Sequence, residues 1–304
     1  MKSYLNANIA ARTRTAYRKK HKLYKQFCTK LRFKRYSQRS MCMFVTHLAD
    51  FMKYSYILQH VSAIKHYRKR FRKEQKMRYL RQVMHGIKRS IGEMTTRPKR
   101  LPITPKKLRS IKQKIQNSTH SDHERKMLWC ACLFAYYGFM RVSEYTSPKR
   151  WDHDPQSRVL LMKQVVYGKN NIHIHLKKSK TDPTQRGTDI TIARNNTKLC
   201  PLRALKKYIK ARGTEKGPIF QFENKSFLTP QLFNKFIKSV LPARSHGVYS
   251  SHSFRIGAAS TAAAKNYPDY MIKQLGRWTS DCYMSYIKTN KKLISNVSRD
   301  LAEL

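Results

Sequence analysis

Apolar residues recur every three or four positions through the first ninety residues of the chain. Tyr17, His21, Tyr24 and Phe27 form one stripe, and Met41, Phe44, Val45, Leu48, Phe51 and Met52 a second. Ile57, Val61, Ile64, Tyr67 and Phe71 form a third, and Leu80, Val83, Met84, Ile87 and Ile91 a fourth. That period predicts four short amphipathic helices, enough for a small bundle. The pattern breaks over residues 95–102, where two prolines among like charges favour extended backbone. The reading is a helical domain over residues 1–95, a linker over 96–103 and a second domain over 104–304.

The second domain opens with helix signals. Thr104-Pro105 reads as an N-cap with proline at the first helical position, and Ser121 with Glu124 reads as a capping box before an apolar helix running to Met140. Between about Val159 and Ile192 the period changes to two: Ile172, Ile174 and Leu176 alternate, as do Ile190 and Ile192. A small antiparallel sheet is expected there. Helical spacing returns over 201–211, over 230–240 and from Ser251 to the end. The predicted fold class is mainly α with a small antiparallel β-sheet, α+β.

Composition narrows the function. Among 304 residues, 65 Lys and Arg stand against 16 Asp and Glu, a formal charge of +49. Residues 1–100 alone hold 28 basic and 3 acidic side chains. A field of this sign calls for a large polyanionic partner, nucleic acid first, and argues against an enzyme of small neutral metabolites. A hydrophobic fraction of 40% suits packed cores, not a disordered chain. The longest apolar run, residues 127–140, is shorter than the about 18 residues a bilayer span needs, and no signal-peptide core is evident. A soluble intracellular protein without a membrane partner is expected.

Six cysteines without a Cys-x-x-Cys pair suggest reduced, mostly buried thiols. Cys130 and Cys132 lie inside an apolar helix where their spacing points them apart, and His173 and His175 alternate with Ile on a strand. Neither pair reads as a metal site, and no cofactor is expected.

Four groups carry the candidate chemistry. The apolar helix ends by presenting Arg141 and then Glu144. The basic loop Lys177-Lys178-Ser179-Lys180-Thr181 lies between the two predicted strands. Ser251-His252-Ser253-Phe254-Arg255 sets His252 and Arg255 on one helix face near an N-terminus that itself favours anions. Leu275-Gly276-Arg277-Trp278 precedes Tyr283 and Tyr286. Fixed cations, a histidine and a phenol together suit attack on a phosphodiester, whose transition state gathers negative charge.

The ordered set Gly138-x-x-Arg141-Val142-Ser143-Glu144, Ser179-Lys180-Thr181, His252-x-x-Arg255, Leu275-Gly276-Arg277-Trp278 and Tyr286 resembles the tyrosine recombinase (phage-integrase) superfamily over about residues 100–290. The basic helical N-terminal domain resembles its core-binding domain, and Cys200-Pro201-Leu202-Arg203-Ala204-Leu205 its helix after the sheet. The segments from Gly276 to Ile287 and Ser143 to Ser147 are most similar to recombinases of eukaryotic mobile elements of the Crypton or DIRS type. The resemblance implies cleavage and rejoining of double-stranded DNA without metal or nucleotide, by a protein that self-associates as a dimer or tetramer. It implies nuclear localisation in a eukaryote and cytoplasmic otherwise.

The implied roles are Arg141 and Arg255 as clamps on the scissile phosphate, Lys180 as acid for the leaving 5′ hydroxyl, and His252 in proton transfer or orientation. Tyr286 is the implied nucleophile and Glu144 a supporting residue. One departure stands out. Directly after Leu-Gly the family has His or Trp nine residues before the nucleophile; here that register gives Arg277, with Trp278 one later, so both stay candidates. The alternatives are a basic DNA-binding protein derived from such an enzyme without recombination activity, and a type IB topoisomerase, which shares the constellation.

Overall fold

The computed structural model describes residues 8–68, 77–91, 98–151, 159–177, 186–243 and 247–287. They build a mostly helical protein with one small antiparallel sheet, and the chain divides into two compact units between Arg97 and Pro98.

The first unit is four helices: α1 (Ala11–Lys30), α2 (Gln38–Ala49), α3 (Tyr54–Arg68) and α4 (Arg78–Ile91). Each predicted stripe becomes its buried face, so that Tyr24 and Cys28, Met41, Phe44, Val45 and Leu48, Ile57, Val61 and Ile64, and Leu80, Met84 and Ile87 share one core. Phe51 ends up exposed, in the turn after α2. Phe71 lies outside the described residues. Ser37 caps α2 by accepting the Ser40 N–H at 3.1 Å. The Tyr24 hydroxyl pairs with Ser40 Oγ at 2.8 Å and accepts the Tyr36 N–H at 2.8 Å, which satisfies a buried phenol.

In the second unit, residues 98–103 of the expected linker run extended but are docked. Leu101 donates to the Val248 carbonyl and Ile103 to that of Ser253, both at 2.9 Å, and both side chains are buried. Helix α5 (Pro105–Gln116) follows, with Thr104 at the N-cap but no side-chain capping bond. Helix α6 (Asp122–Tyr137) starts with half of the expected capping box: the Glu124 N–H donates to Ser121 Oγ at 3.2 Å, while the Glu124 carboxylate pairs with His120 Nδ1 at 2.8 Å. From Met127 to Tyr136 nearly every α6 side chain is buried, so this helix forms the centre of the core.

Strands β1 (Val165–Tyr167), β2 (Asn171–Leu176) and β3 (Thr188–Ala193) pair antiparallel in the order β1-β2-β3. Ile172 faces Ile192 and Ile174 faces Ile190, and this apolar face meets the core while His173, His175, Asp189 and Thr191 stay outside. Residues 178–185, including Lys178, Ser179, Lys180 and Thr181, lie outside the described part. Helices α8 (Pro201–Arg212) and α9 (Pro230–Val240) lead to α10 (His252–Ala263); the short α7 belongs to the site below.

The helical spacing from Ser251 onward is broken into pieces. Helix α10 is followed by α11 (Asp269–Gly276) and a 3-10 helix at Asp281–Tyr286. Asn266 at φ 59° and Pro268 end the first piece, and Arg277 at φ 55° ends the second. Gly257 lets α10 lie directly on the Ile103 main chain, because a Cβ there would collide with the Ile103 carbonyl. Among the described residues no helix is long and apolar enough to cross a membrane.

Candidate active site

Helix α6 does not run on to Arg141. It stops at Tyr137 with Gly138 as its C-cap, and Phe139 takes a left-handed conformation at φ 47°. The chain then restarts as the single-turn α7 (Val142–Tyr145), for which Arg141 is the N-cap. Arg141 is therefore not at a helix C-terminus but at the start of the next helix. The wholly buried Glu144 reaches back to it, accepting the Arg141 N–H at 2.8 Å and its guanidinium at 3.0 Å.

Glu144 has a second cationic partner. The Arg277 guanidinium donates to Glu144 Oε2 at 2.8 Å and to the carbonyls of Gly138 at 3.1 Å and Phe139 at 3.3 Å. Burial weakens the hold of Arg277 on its proton and Glu144 opposes that effect. Its left-handed backbone, at the C-cap of α11, turns the side chain inward to these acceptors. Side-chain exposures order the three groups: Arg141 17%, Arg277 9%, Glu144 1%.

Arg255 is 1% exposed, on the first turn of α10. It donates to the Phe139 carbonyl at 2.7 Å and to the Gly276 carbonyl, and its guanidinium carbon lies 4.2 Å from the centre of the Trp278 ring. Trp278 meets Phe139 edge-on at 6.2 Å and stacks on Tyr283 at 5.7 Å and 30°. A glycine at 276 is required, because any Cβ would enter the Trp278 ring. Tyr283 is 2% exposed, whereas Tyr286 closes the 3-10 helix, its side chain outside the described part.

The start of α10 is fixed by Asn234 of α9, whose Oδ1 accepts the Ser251 N–H at 2.9 Å. His252 follows. Its pKa is pushed down to about 4, first by burial and then by Arg100, Arg255 and Arg141. The imidazole is thus neutral at pH 7, one nitrogen a donor and the other an acceptor.

Arg141, Glu144, Arg255, Arg277 and Trp278 therefore form one contact network, with His252 inside the field of its cations. Three guanidiniums against one carboxylate leave a positive centre suited to a phosphodiester. Sequence reasoning missed Arg100 beside His252, and it missed the carbonyls of Gly138, Phe139 and Gly276 as ligands of the arginines. Of these Gly138 and Gly276 left a trace, as two of the 10 glycines in the chain. No group of His, Cys, Asp and Glu among the described residues could hold a metal ion. Cys130 and Cys132 are buried in α6, and the imidazoles of His173 and His175 pair with Thr191 and Asp189 across the sheet.

No protein-family model and no curated protein sequence matches the chain. Solved structures do. The Tn1549 transposon integrase in complex with transposon right end DNA aligns at 12% identity over 98% of this chain and 95% of its own, with a TM-score of 0.62. A lambda integrase dimer bound to a COC′ core site aligns at 16% identity over 94% and 93%, with a TM-score of 0.61. The XerH site-specific recombinase bound to palindromic difH substrate aligns at 11% identity over 91% and 75%, with a TM-score of 0.58. At these identities the likeness is one of fold, and the chain has the fold of the tyrosine recombinases.

Proposed function

We propose that this chain cleaves and rejoins double-stranded DNA through a 3′-phosphotyrosyl intermediate, as the recombinase or integrase of a mobile element. The observation that supports it most is that Arg141 on the buried Glu144–Arg277 pair and Arg255 on the carbonyl it shares with Arg277 both act on His252, within a recombinase fold. Arg141 and Arg255 hold the non-bridging oxygens of the scissile phosphate. The Tyr286 oxygen attacks phosphorus, and the P–O5′ bond breaks as Lys180 protonates the leaving 5′ hydroxyl. Neutral His252 accepts or relays the phenol proton. Rejoining is the reverse: a 5′ hydroxyl attacks the phosphotyrosine and the phenol leaves.

Trp278 fills the role of the family's His or Trp by carrying Arg255 on its ring face, a cation–π contact that fixes the guanidinium plane. Arg277 acts through Glu144. The burial of Tyr283 against Trp278 supports Tyr286 as nucleophile. The N-terminal unit is the core-binding domain, with duplex DNA and further copies of this chain as partners. The likeness of the 276–287 segment to Crypton and DIRS recombinases suggests a eukaryotic element and a nuclear protein.

One observation favours a second reading, a binding protein derived from such an enzyme. Arg255 is buried with donors on two main-chain carbonyls, so engaging a phosphate requires it to share them. A duplex nicked just past the cleavage point separates the readings, because loss of the short 5′-hydroxyl fragment traps the covalent state. A denaturation-resistant protein–DNA adduct that persists in EDTA is the expected result. Tight binding without an adduct supports the second reading, and cleavage that requires magnesium excludes the phosphotyrosyl route.

A further inference from the structure

The first unit contains a cleft of about 640 Å3 between α1, the loop to α2 and the end of α3. Its walls are Arg18, Lys22, Lys25 and Arg35, and no carboxylate lines it. Arg18, Lys22 and Lys25 recur at the spacing of one helix face and carry exposed side chains. Its floor is aromatic. The His21 ring lies 4.1 Å from Tyr67 at 13° and 5.8 Å from Tyr36 at 17°, nearly parallel to both. His21 Nε2 and the Tyr36 hydroxyl are 2.6 Å apart, which locks the two rings together. Burial, then Lys25 and Arg35, push the His21 pKa down to about 4, so the floor is neutral at pH 7.

The rings belong to the edge of the unit's core, against which Tyr36 packs, but the cations do not: a protein with excess positive charge gains nothing in stability by gathering four of them. A duplex backbone offers phosphates to the walls but keeps its bases inside, away from a flat floor. An acidic peptide brings carboxylates but no flat aromatic group as a matter of course. A nucleotide whose base is unpaired brings both a π-face and a phosphate, the combination that basic grooves with aromatic floors use to hold single strands. The cleft volume lies within the about 300–1,000 Å3 typical of sites for ligands of that size.

We propose that the cleft binds an unpaired nucleotide of a DNA strand, its base stacked on the end of the Tyr36–His21–Tyr67 column and the flanking phosphates on Arg18, Lys22, Lys25 and Arg35. The inference rests on the recombinase reading only for its setting, since strand exchange exposes unpaired nucleotides between cleavage and rejoining.

The test titrates the full chain with a fluorescent oligothymidylate and with a blunt duplex of equal phosphate count, over a range of salt. Arg18→Gln/Lys22→Gln/Lys25→Gln changes exposed side chains only and leaves the fold intact. It should weaken oligothymidylate binding at least about tenfold and flatten the log–log salt slope by about 2, at about 0.7 for each phosphate contact on a single strand. Tyr67→Leu should weaken the same binding about fivefold or more, the loss of one base stack, with a smaller effect on the duplex. An iodouracil-substituted oligomer should crosslink to Tyr36, His21 or Tyr67. Unchanged affinity in the triple variant overturns the proposal. So does equal weakening on duplex with no effect of Tyr67→Leu, or crosslinks that fall only elsewhere. The oligomer titration reads the cleft alone and adduct formation reads the recombinase chemistry, so failure of one is distinguishable from failure of the other.

Discussion

The two units bury polar groups on different terms. In the first, the buried polar side chains His21, Ser40, His60 and Arg68 sit singly or in pairs among apolar helices, and its stability comes from residues such as Phe44 and Ile57. In the second, a buried carboxylate and guanidiniums form a continuous network that joins α6, α7, α10 and the end of α11 through the carbonyls of residues 138, 139 and 276. Apolar packing tolerates change in small steps, because each lost methylene costs about the same. A buried ion network does not, because removing one member leaves another charged and unpaired. The contrast separates a region built to hold its shape from one built to hold charge in place.

Glu144→Ala gives the largest expected effect. It strands Arg141 and Arg277 beside each other, one of them buried, and should cost the second unit about 3–5 kcal/mol in denaturant unfolding. Ile57→Val, equally buried in the first unit, should cost about 0.5–1.5 kcal/mol. Equal costs for the two would mean that the network is not a special case.

Arg277→Ala sharpens the comparison within the site. It should slow single-turnover cleavage about 10²-fold, the scale of losing a transition-state donor. Because Arg277 acts through Glu144, the loss should persist on a methylphosphonate substrate, which has one charged oxygen fewer. Recovery on that substrate would place the guanidinium on the phosphate instead. Trp278→Ala should slow cleavage by a smaller factor, about tenfold; normal cleavage would remove Trp278 from the site.

Acid should weaken both units, by a few kcal/mol at most. His21 and His60 in the first and His252 in the second have pKa values pushed down to about 4, all three chiefly by burial. The unfolded chain takes up these protons near 6.5, so the stabilisation is complete above that pH and is lost as pH falls towards 4. Thermal midpoints measured between pH 7 and 4.5 should fall, and His60→Phe should flatten the fall. An unchanged slope in that variant would remove His60 from the account.

The four N-terminal helices and the two longer strands were legible because a repeat of 3.6 or 2 reports which side of an element is buried; β1, only Val165–Tyr167, is too short to show one. So was the composition of the site, since Arg141, Glu144, His252 and Arg255 stand in short motifs with fixed spacing. What the sequence did not show is direction. Arg141 reads as the end of an apolar helix, yet Gly138 and the left-handed Phe139 make it the start of another. Arg277 and Trp278 read as rivals for one position, and the left-handed backbone at Arg277 aims its side chain at carbonyls 138 and 139 residues away in sequence. No local pattern encodes an acceptor that distant. Only the packed structure sets Trp278 under Arg255.

The proposed reaction requires a covalent bond between Tyr286 and DNA. Peptide mapping of the adduct trapped on a nicked duplex tests it most directly. Phosphotyrosine is expected at Tyr286, retained in Tyr283→Phe and absent in Tyr286→Phe. An adduct mapped to Tyr283, or one still formed by Tyr286→Phe, would contradict it.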